Sequence, residues 1–230
     1  MHRRLNKDKK VISSGIPILD SKLQRGGFME GTVILCIGDA SSRKDLFGYR
    51  FLMEGIKNGE KVTFYDVEAS SDEILDLFND SDEIEDMDQL DFVDACPEYS
   101  KFYINAVPAT IIDHMRQNND SRRVLINPFT FFIERFGVMD AGDLIIRVRE
   151  IAMQKNITVL LLMANILSDL ELQSIMDKCD GIIELTTKVY HKDIFHELML
   201  KKFGSGQRDV YLTYVIEDSK IKVTSMDKIS

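Results

Sequence analysis

Residues 38 to 45, Gly-Asp-Ala-Ser-Ser-Arg-Lys-Asp, lie inside "LCIGDASSRKDLFGYRFL" (35–52), where an apolar run enters a turn and the turn enters a helical pattern. Their spacing is that of a phosphate-binding loop, GxxxxGK[ST], whose consecutive backbone N–H groups face one concavity at a helix N-terminus. Gly38 and Lys44 stand in place, but Arg43 replaces the second glycine and Asp45 replaces the Ser/Thr. Ser41 and Ser42 are small hydroxyl donors that suit such a loop. Arg43 brings a Cβ to a position where positive φ is expected, at a cost on the order of 1 kcal/mol. Lys44 at a helix start is electrostatically unfavourable without an anion nearby, supplied either by a bound phosphate or by Asp45 as a salt-bridge partner. Asp45 favours the helix N-terminus and can ligate Mg²⁺, yet beside a triphosphate it is repelled by roughly 4 kcal/mol at about 4 Å and intermediate dielectric.

Other side chains offer less. Cys36, Cys96 and Cys179 are odd in number and widely spaced, which suits reduced buried thiols in a cytoplasm rather than disulfides or a zinc site. His191 and His196 are five apart in an expected strand, so they face opposite sides and do not make a metal pair. No Ser/His/Asp or Cys/His arrangement stands in a motif context. Phe129, Phe131, Phe132 and Phe136 crowd together in "NPFTFFIERF"; they form either a helix or turn packed on a sheet or an exposed patch serving a subunit interface.

The elements around the loop read as a parallel α/β core. "TVILCI" (32–37) is an expected buried strand, and residues 44–57 an expected helix, apolar nearly all round and closed by Gly59. "KVTFYDV" (61–67), "LDFVDA", "RRVLIN" (122–127) and "ITVLLLMAN" (157–165) read as further strands. Helices are expected around Pro108–Gln117 and from about Ala141 to Lys155, with Leu144, Val148, Ile151 and Ala152 on one face. Continuous apolar strands alternating with helices imply a mostly parallel sheet with helices on both faces. After Asp180 the strands "GIIELTT", "IFHELMLKKF", "DVYLTYVIED" and "KIKVTS" are separated by short polar turns, so C-terminal antiparallel strands are expected.

At 230 residues the chain suits one domain, here 12–230, behind a flexible basic tail over 1–11, "MHRRLNKDKKV". It contains no apolar run long enough for a membrane span and no signal-peptide core. Net charge is −9, unevenly placed: Val62–Ser100 holds 14 acidic residues and no Lys or Arg, while the rest holds 29 basic against 24 acidic residues. The acidic block is either a solvated surface, a helix end plus a loop, or a docking face for a basic partner; in both cases it repels nucleic acid.

"SSGIPILDSKLQRGGFMEGTVILCIGD" (13–39) resembles the opening of the KaiC-like branch of the RecA superfamily, with its Ser/Thr-Gly-Ile-Pro, Leu-Asp and Gly-Gly elements ahead of the phosphate loop. "RFLMEGIKNGEKVTFYDVE" (50–68) resembles that family's next segment, "RRVLIN" stands where its Walker B strand falls, and "LMLKKFGSGQRDVYLTYVI" (198–216) resembles its C-terminal hairpin. The resemblance runs from about Ile12 to Val223. It implies a RecA-like P-loop fold and an ATPase that assembles into rings or filaments, with ATP and Mg²⁺ held between neighbouring subunits.

Carried over position by position, the resemblance makes Gly38, Ser41, Ser42, Arg43, Lys44 and Asp45 the nucleotide-binding set, with Asp45 and Asn127 as the vestiges of a Mg²⁺ site. Asn127 stands for the Walker B aspartate and is followed by Pro128. Glu68 stands for the glutamate that activates water, and Ala69 for a second glutamate common in the family. Lys201 and Gly204 keep part of a Lys-Met-Arg-Gly hairpin, but Phe203 stands where an arginine would reach a neighbour's γ-phosphate, a loss that costs about 10³-fold or more in related chemistry. Loop shape, metal ligation and charge neutralisation are each altered. The expected function is therefore a non-catalytic regulatory or scaffolding subunit, joined to itself or to an active relative, in the cytoplasm. The alternatives are a weak nucleotide binder (ATP or ADP with Mg²⁺), a DNA-recombination accessory disfavoured by the acidic balance, and an archaeal motility accessory.

Overall fold

The computed structural model describes residues 10–68, 78, 88–96, 101–191, 193–204, 208–217 and 220–225. Most of the acidic block and the N-terminal residues 1–9 lie outside these. The expectations of a flexible tail and of a helix end plus loop therefore fall largely outside the described residues.

Among the described residues, nine strands form one sheet in the order β11-β10-β9-β8-β3-β7-β6-β4-β5. In chain order these are β3 (Val33–Ile37), β4 (Lys61–Asp66), β5 (Leu90–Asp94), β6 (Ser121–Asn127), β7 (Thr158–Met163), β8 (Gly181–Tyr190), β9 (Asp193–Lys201), β10 (Val210–Glu217) and β11 (Lys220–Ser225). From β8 through β3 to β5 every pairing is parallel, and β8 to β11 is an antiparallel meander. A separate two-strand pair, β1 (Val11–Ile12) with β2 (Phe28–Met29), precedes the core. Val11 thus belongs to the folded frame rather than to a tail ending at residue 11.

Strand β3 shows why the middle of the sheet reads as an unbroken apolar run. Val33, Leu35 and Ile37 point into one core; Ile34 and Cys36 point into the other. The first core is closed by α4 (Val107–Gln117), α5 (Thr130–Lys155) and α6 (Asp169–Met176), and a one-turn helix, α3 (Lys101–Ile104), precedes them. The second is closed by α1 (Pro17–Lys22) and α2 (Lys44–Lys57). With both faces covered, each β3 side chain is buried, and no alternation survives in the sequence. Helix α2 buries Leu46, Phe47, Phe51, Leu52, Met53 and Ile56, as its all-round apolarity implies.

The phenylalanine cluster is core. Phe129, Phe131 and Phe132 are buried and Phe136 half-buried within the first core, so the exposed-patch alternative is wrong. The chain begins its helix at Thr130 rather than Ala141 and breaks at Gly137 (φ 83, ψ 168), which splits α5 into two segments. Cys36 and Cys179 are buried, whereas Cys96 is only half-buried, and all three are free thiols. Burial pushes the Cys36 thiol up to about 12, against the opposing pull of the Lys44 ammonium. His191 is not in a strand: it takes a left-handed turn conformation (φ 56) between β8 and β9. No helix among the described residues is long and apolar enough to cross a membrane.

Candidate functional site

In an open parallel sheet, ligands meet the carboxyl ends of the strands. Here that edge carries Gly38 after β3, Asn127 at the end of β6 and Glu68 after β4. Gly38 N–H donates to Met163 O of β7 (3.1 Å), and Val67 N–H to Asn127 O (3.1 Å), so the ends are level. Strand β7 lies between β3 and β6, which sets the loop and Asn127 roughly 10 Å apart by strand spacing.

The loop is a single 3-10 turn, Ala40–Ser42, followed by Arg43 and then α2. Gly38 is required for closeness: a Cβ there would sit 2.3 Å from Ser42 Oγ. Arg43 is left-handed (φ 51, ψ 44), the positive φ expected of the glycine it replaces. Its guanidinium turns back onto Asp45, Nε donating to both carboxylate oxygens (3.1 Å each) and Nη2 to Oδ2 (2.9 Å). Asp45 is therefore the partner of Arg43 and not of Lys44, a correction to the simplest pairing. Lys44 is half-buried, and its ammonium makes no hydrogen bond or ion pair among the described residues.

Sequence reasoning overlooked Asp39, which organises the turn. Its Oδ1 accepts from Ser41 Oγ (2.7 Å) and from Ser42 N–H (2.8 Å), while Ser42 Oγ donates to its carbonyl (2.7 Å). The signal was present: an Asp followed by serines two and three residues on is a side-chain-capped turn. Two residues from the C-terminal meander reach the same loop, and a third backs them. Thr187 Oγ1 lies 3.4 Å from Asp39 Oδ1, and Tyr214 donates its hydroxyl to Ser42 O (2.8 Å). His196 stacks on Tyr214 (centroids 4.9 Å) with Nδ1 3.3 Å from Thr187 Oγ1. Burial lowers the His196 pKa, which Asp39 partly offsets, and burial raises that of Tyr214.

Glu68 is exposed, its backbone N–H donating to Asp66 Oδ1 (3.2 Å). Partial burial raises its pKa; Glu134 and Asp66 add to the rise and Arg135 opposes it. Glu134 and Arg135 thus belong to its surroundings, although no motif marks them. Lys201 and Phe203 lie at the opposite, amino edge of the parallel strands, since Lys201 pairs with Ile182 at the start of β8. Lys201 pairs with Glu184 (2.8 Å). The Phe203 ring stacks on Phe28 of its own chain (5.7 Å) and packs over Gly181. No cluster of three or more His, Cys, Asp or Glu suited to a metal ion occurs among the described residues.

The sequence model of a family described as "ATPase: KaiC" matches residues 12–228. The chain belongs to the KaiC ATPase family. A KaiC-like protein of the hyperthermophilic archaeon Pyrococcus horikoshii OT3 shares the fold, with a TM-score of 0.75 at 19% identity over 94% of this chain and 99% of that one. Protein RecA of Malacoplasma penetrans (strain HF-2) is 37% identical over 65 residues, 28% of this KaiC-family chain and 20% of the relative's length. The expected RecA-like frame, with a mostly parallel sheet, two helical faces and C-terminal antiparallel strands, is thereby borne out.

Proposed function

We propose that this KaiC-family chain does not hydrolyse ATP and acts as a regulatory or scaffolding subunit, associating with copies of itself or with an active relative. One observation carries the reading: the Ser41 and Ser42 hydroxyls and the Ser42 amide, which the loop would offer a phosphate, are already taken within the loop. Ser41 Oγ, Ser42 Oγ and Ser42 N–H all donate to Asp39. The residues do not fit a magnesium triphosphate. Asp45, where a neutral hydroxyl would meet the metal, is held by Arg43, and Asn127 lacks the charge of the aspartate it stands for. Lys201 and Phe203 face away from their own loop, so any role for them at a nucleotide is in a neighbouring copy's site. There Phe203 offers no charge, and its ring is engaged with Phe28.

The test is a thermal-shift titration and a turnover assay of the wild-type protein with Mg-ATP. The expectation is an unmoved Tm at millimolar nucleotide and no phosphate release above background; sustained turnover would end the proposal. Sedimentation giving a strict monomer, together with no relative captured on pull-down, would remove the scaffolding half.

A second reading, weak nucleotide binding without turnover, is favoured by Lys44, whose half-buried ammonium has no partner among the described residues. Calorimetry with ATP, ADP and AMP, with and without Mg²⁺, separates the two: saturable heat with any of them selects the second.

A further inference from the structure

The loop is held as well as filled. Asp39 Oδ1 accepts from two groups of its own turn, and Thr187, a residue of β8, approaches the same oxygen. One strand over, His196 of β9 lies opposite Thr187 in register, and Tyr214 of β10 lies opposite His196. The three side chains therefore share the sheet face that looks at the loop. The two contacts of Thr187 are compatible when His196 Nδ1 carries a proton: His196 donates to Thr187 Oγ1, and the single Thr187 proton passes on to Asp39. Tyr214 fixes the other side of the turn through Ser42 O. Its own ring is wedged between His196 and Phe47 of α2 (5.4 Å, edge-on), so it has little freedom to let go.

We propose that Asp39 is a built-in pseudo-ligand: its carboxylate occupies the Ser41 hydroxyl and the Ser42 amide of the phosphate loop as an autoinhibitory contact, and the C-terminal meander clamps it there through Thr187 and Tyr214. The ligand class it excludes is the polyphosphate chain, which would need the same Ser41 and Ser42 donors and would be repelled by the same negative charge. The inference rests on reading the loop as non-hydrolysing. It adds that the block includes a removable acid, not only the loss of glycine and metal ligands. Lys44, whose ammonium has no partner among the described residues, stays available to the polyphosphate once Asp39 is gone.

The experiment is calorimetric titration of the full chain with sodium tripolyphosphate at fixed ionic strength, run on the wild type and on Asp39→Ala, Asp39→Asn, Thr187→Val and Tyr214→Phe. Circular dichroism and cooperative melting confirm each fold. Asp39→Asn guards against a folding artefact, because an amide oxygen still caps the turn while the charge is removed. Wild type is expected to show no saturation at millimolar ligand. Asp39→Ala should tighten binding tenfold or more, and Asp39→Asn by a smaller factor. A gain in the alanine variant alone also supports the contact, assigning it to the occupied donors rather than to charge. Wild-type affinity in both Asp39 variants overturns the proposal. Thr187→Val and Tyr214→Phe should each give two- to threefold; if both stay flat while Asp39→Ala gains, the clamp is overturned. ATP turnover by the wild type would end the function proposed above whatever these variants do, whereas flat affinities without turnover end the autoinhibition alone.

Discussion

Two turns of this molecule use the same device, an aspartate that gathers nearby donors, and they differ in what depends on it. In the opening segment Asp20 is buried and accepts from Ser13 Oγ (2.7 Å) and from Ser14 N–H (2.9 and 3.1 Å). Gly15 beside it runs so close to α2 that a Cβ would lie 2.4 Å from Arg50 O, at φ 82. In the phosphate loop Asp39 is exposed, and Arg43 and Asp45 satisfy each other at half-exposed positions. Packing fixes the residues of the opening segment, whereas Arg43 and Asp45 of the loop are held by each other with little demand from packing. Frame and chemistry are separable here. A surface pair such as Arg43–Asp45 is worth about 0–1 kcal/mol, whereas a buried donor left unpaired costs roughly 1–3 kcal/mol.

The largest effect is therefore expected in the opening segment. Gly15→Ala places a side chain against a backbone carbonyl at positive φ and should cost on the order of 3 kcal/mol, combining the left-handed penalty with overpacking. For a chain of this length that is a fall in Tm of roughly 6–12 °C. Asp20→Ala, which strands Ser14 N–H, should cost somewhat less. A Tm within about 1 °C of wild type for both would erase the contrast between the two turns.

Next comes the loop itself. Reverting Arg43→Gly, Asp45→Thr and Asn127→Asp together should leave stability within about 1 kcal/mol, since glycine relieves the strain at φ 51 while the ion pair is lost. Mg-ATP affinity should rise severalfold, and further when Asp39→Ala is added, because the triple change leaves Asp39 on Ser41 and Ser42. Fluorescence or calorimetric titration reads both steps. Equal affinity in the triple variant and the wild type would mean that the loop's departure runs deeper than these three positions.

How far the sequence carried follows the same division. β3, β6 and β7 were legible because strands buried on both faces leave unbroken apolar runs, and α2 because its apolarity goes all round. Helix α6 and the two-residue strands β1 and β2 were missed; elements of two residues have no period to read, and α6 buries only Ile175 fully. In the site, Gly38, Lys44 and the positive φ at Arg43 could be read from spacing. The hold on the loop could not: Thr187 lies 148 residues from Asp39 and Tyr214 172 residues from Ser42, contacts set by the sheet order and by no local pattern. The pairing of Asp45 with Arg43 instead of Lys44 turns on side-chain direction at a left-handed residue, which residue types alone do not give.

The smallest effect concerns Glu68, the acidic residue that the sequence resemblance sets at a water-activating position. Its pKa is raised above the ordinary 4.5 by partial burial first, then by Glu134 and Asp66. A raised carboxyl pKa means that the folded state binds its proton more tightly than the unfolded state does. The cost of charging it is absent below pH 4.5 and grows as pH rises through the folded value. Glu68→Gln, which cannot ionise, should therefore melt slightly above wild type at pH 7, with the two Tm values converging as pH falls towards 4. Solvent screening at this exposed site keeps the difference under about 1 kcal/mol. A loss of stability in Glu68→Gln at pH 7 would point instead to a favourable partner for the charged form. It would then set Glu68 beside Asp20, as an acid that the frame depends on.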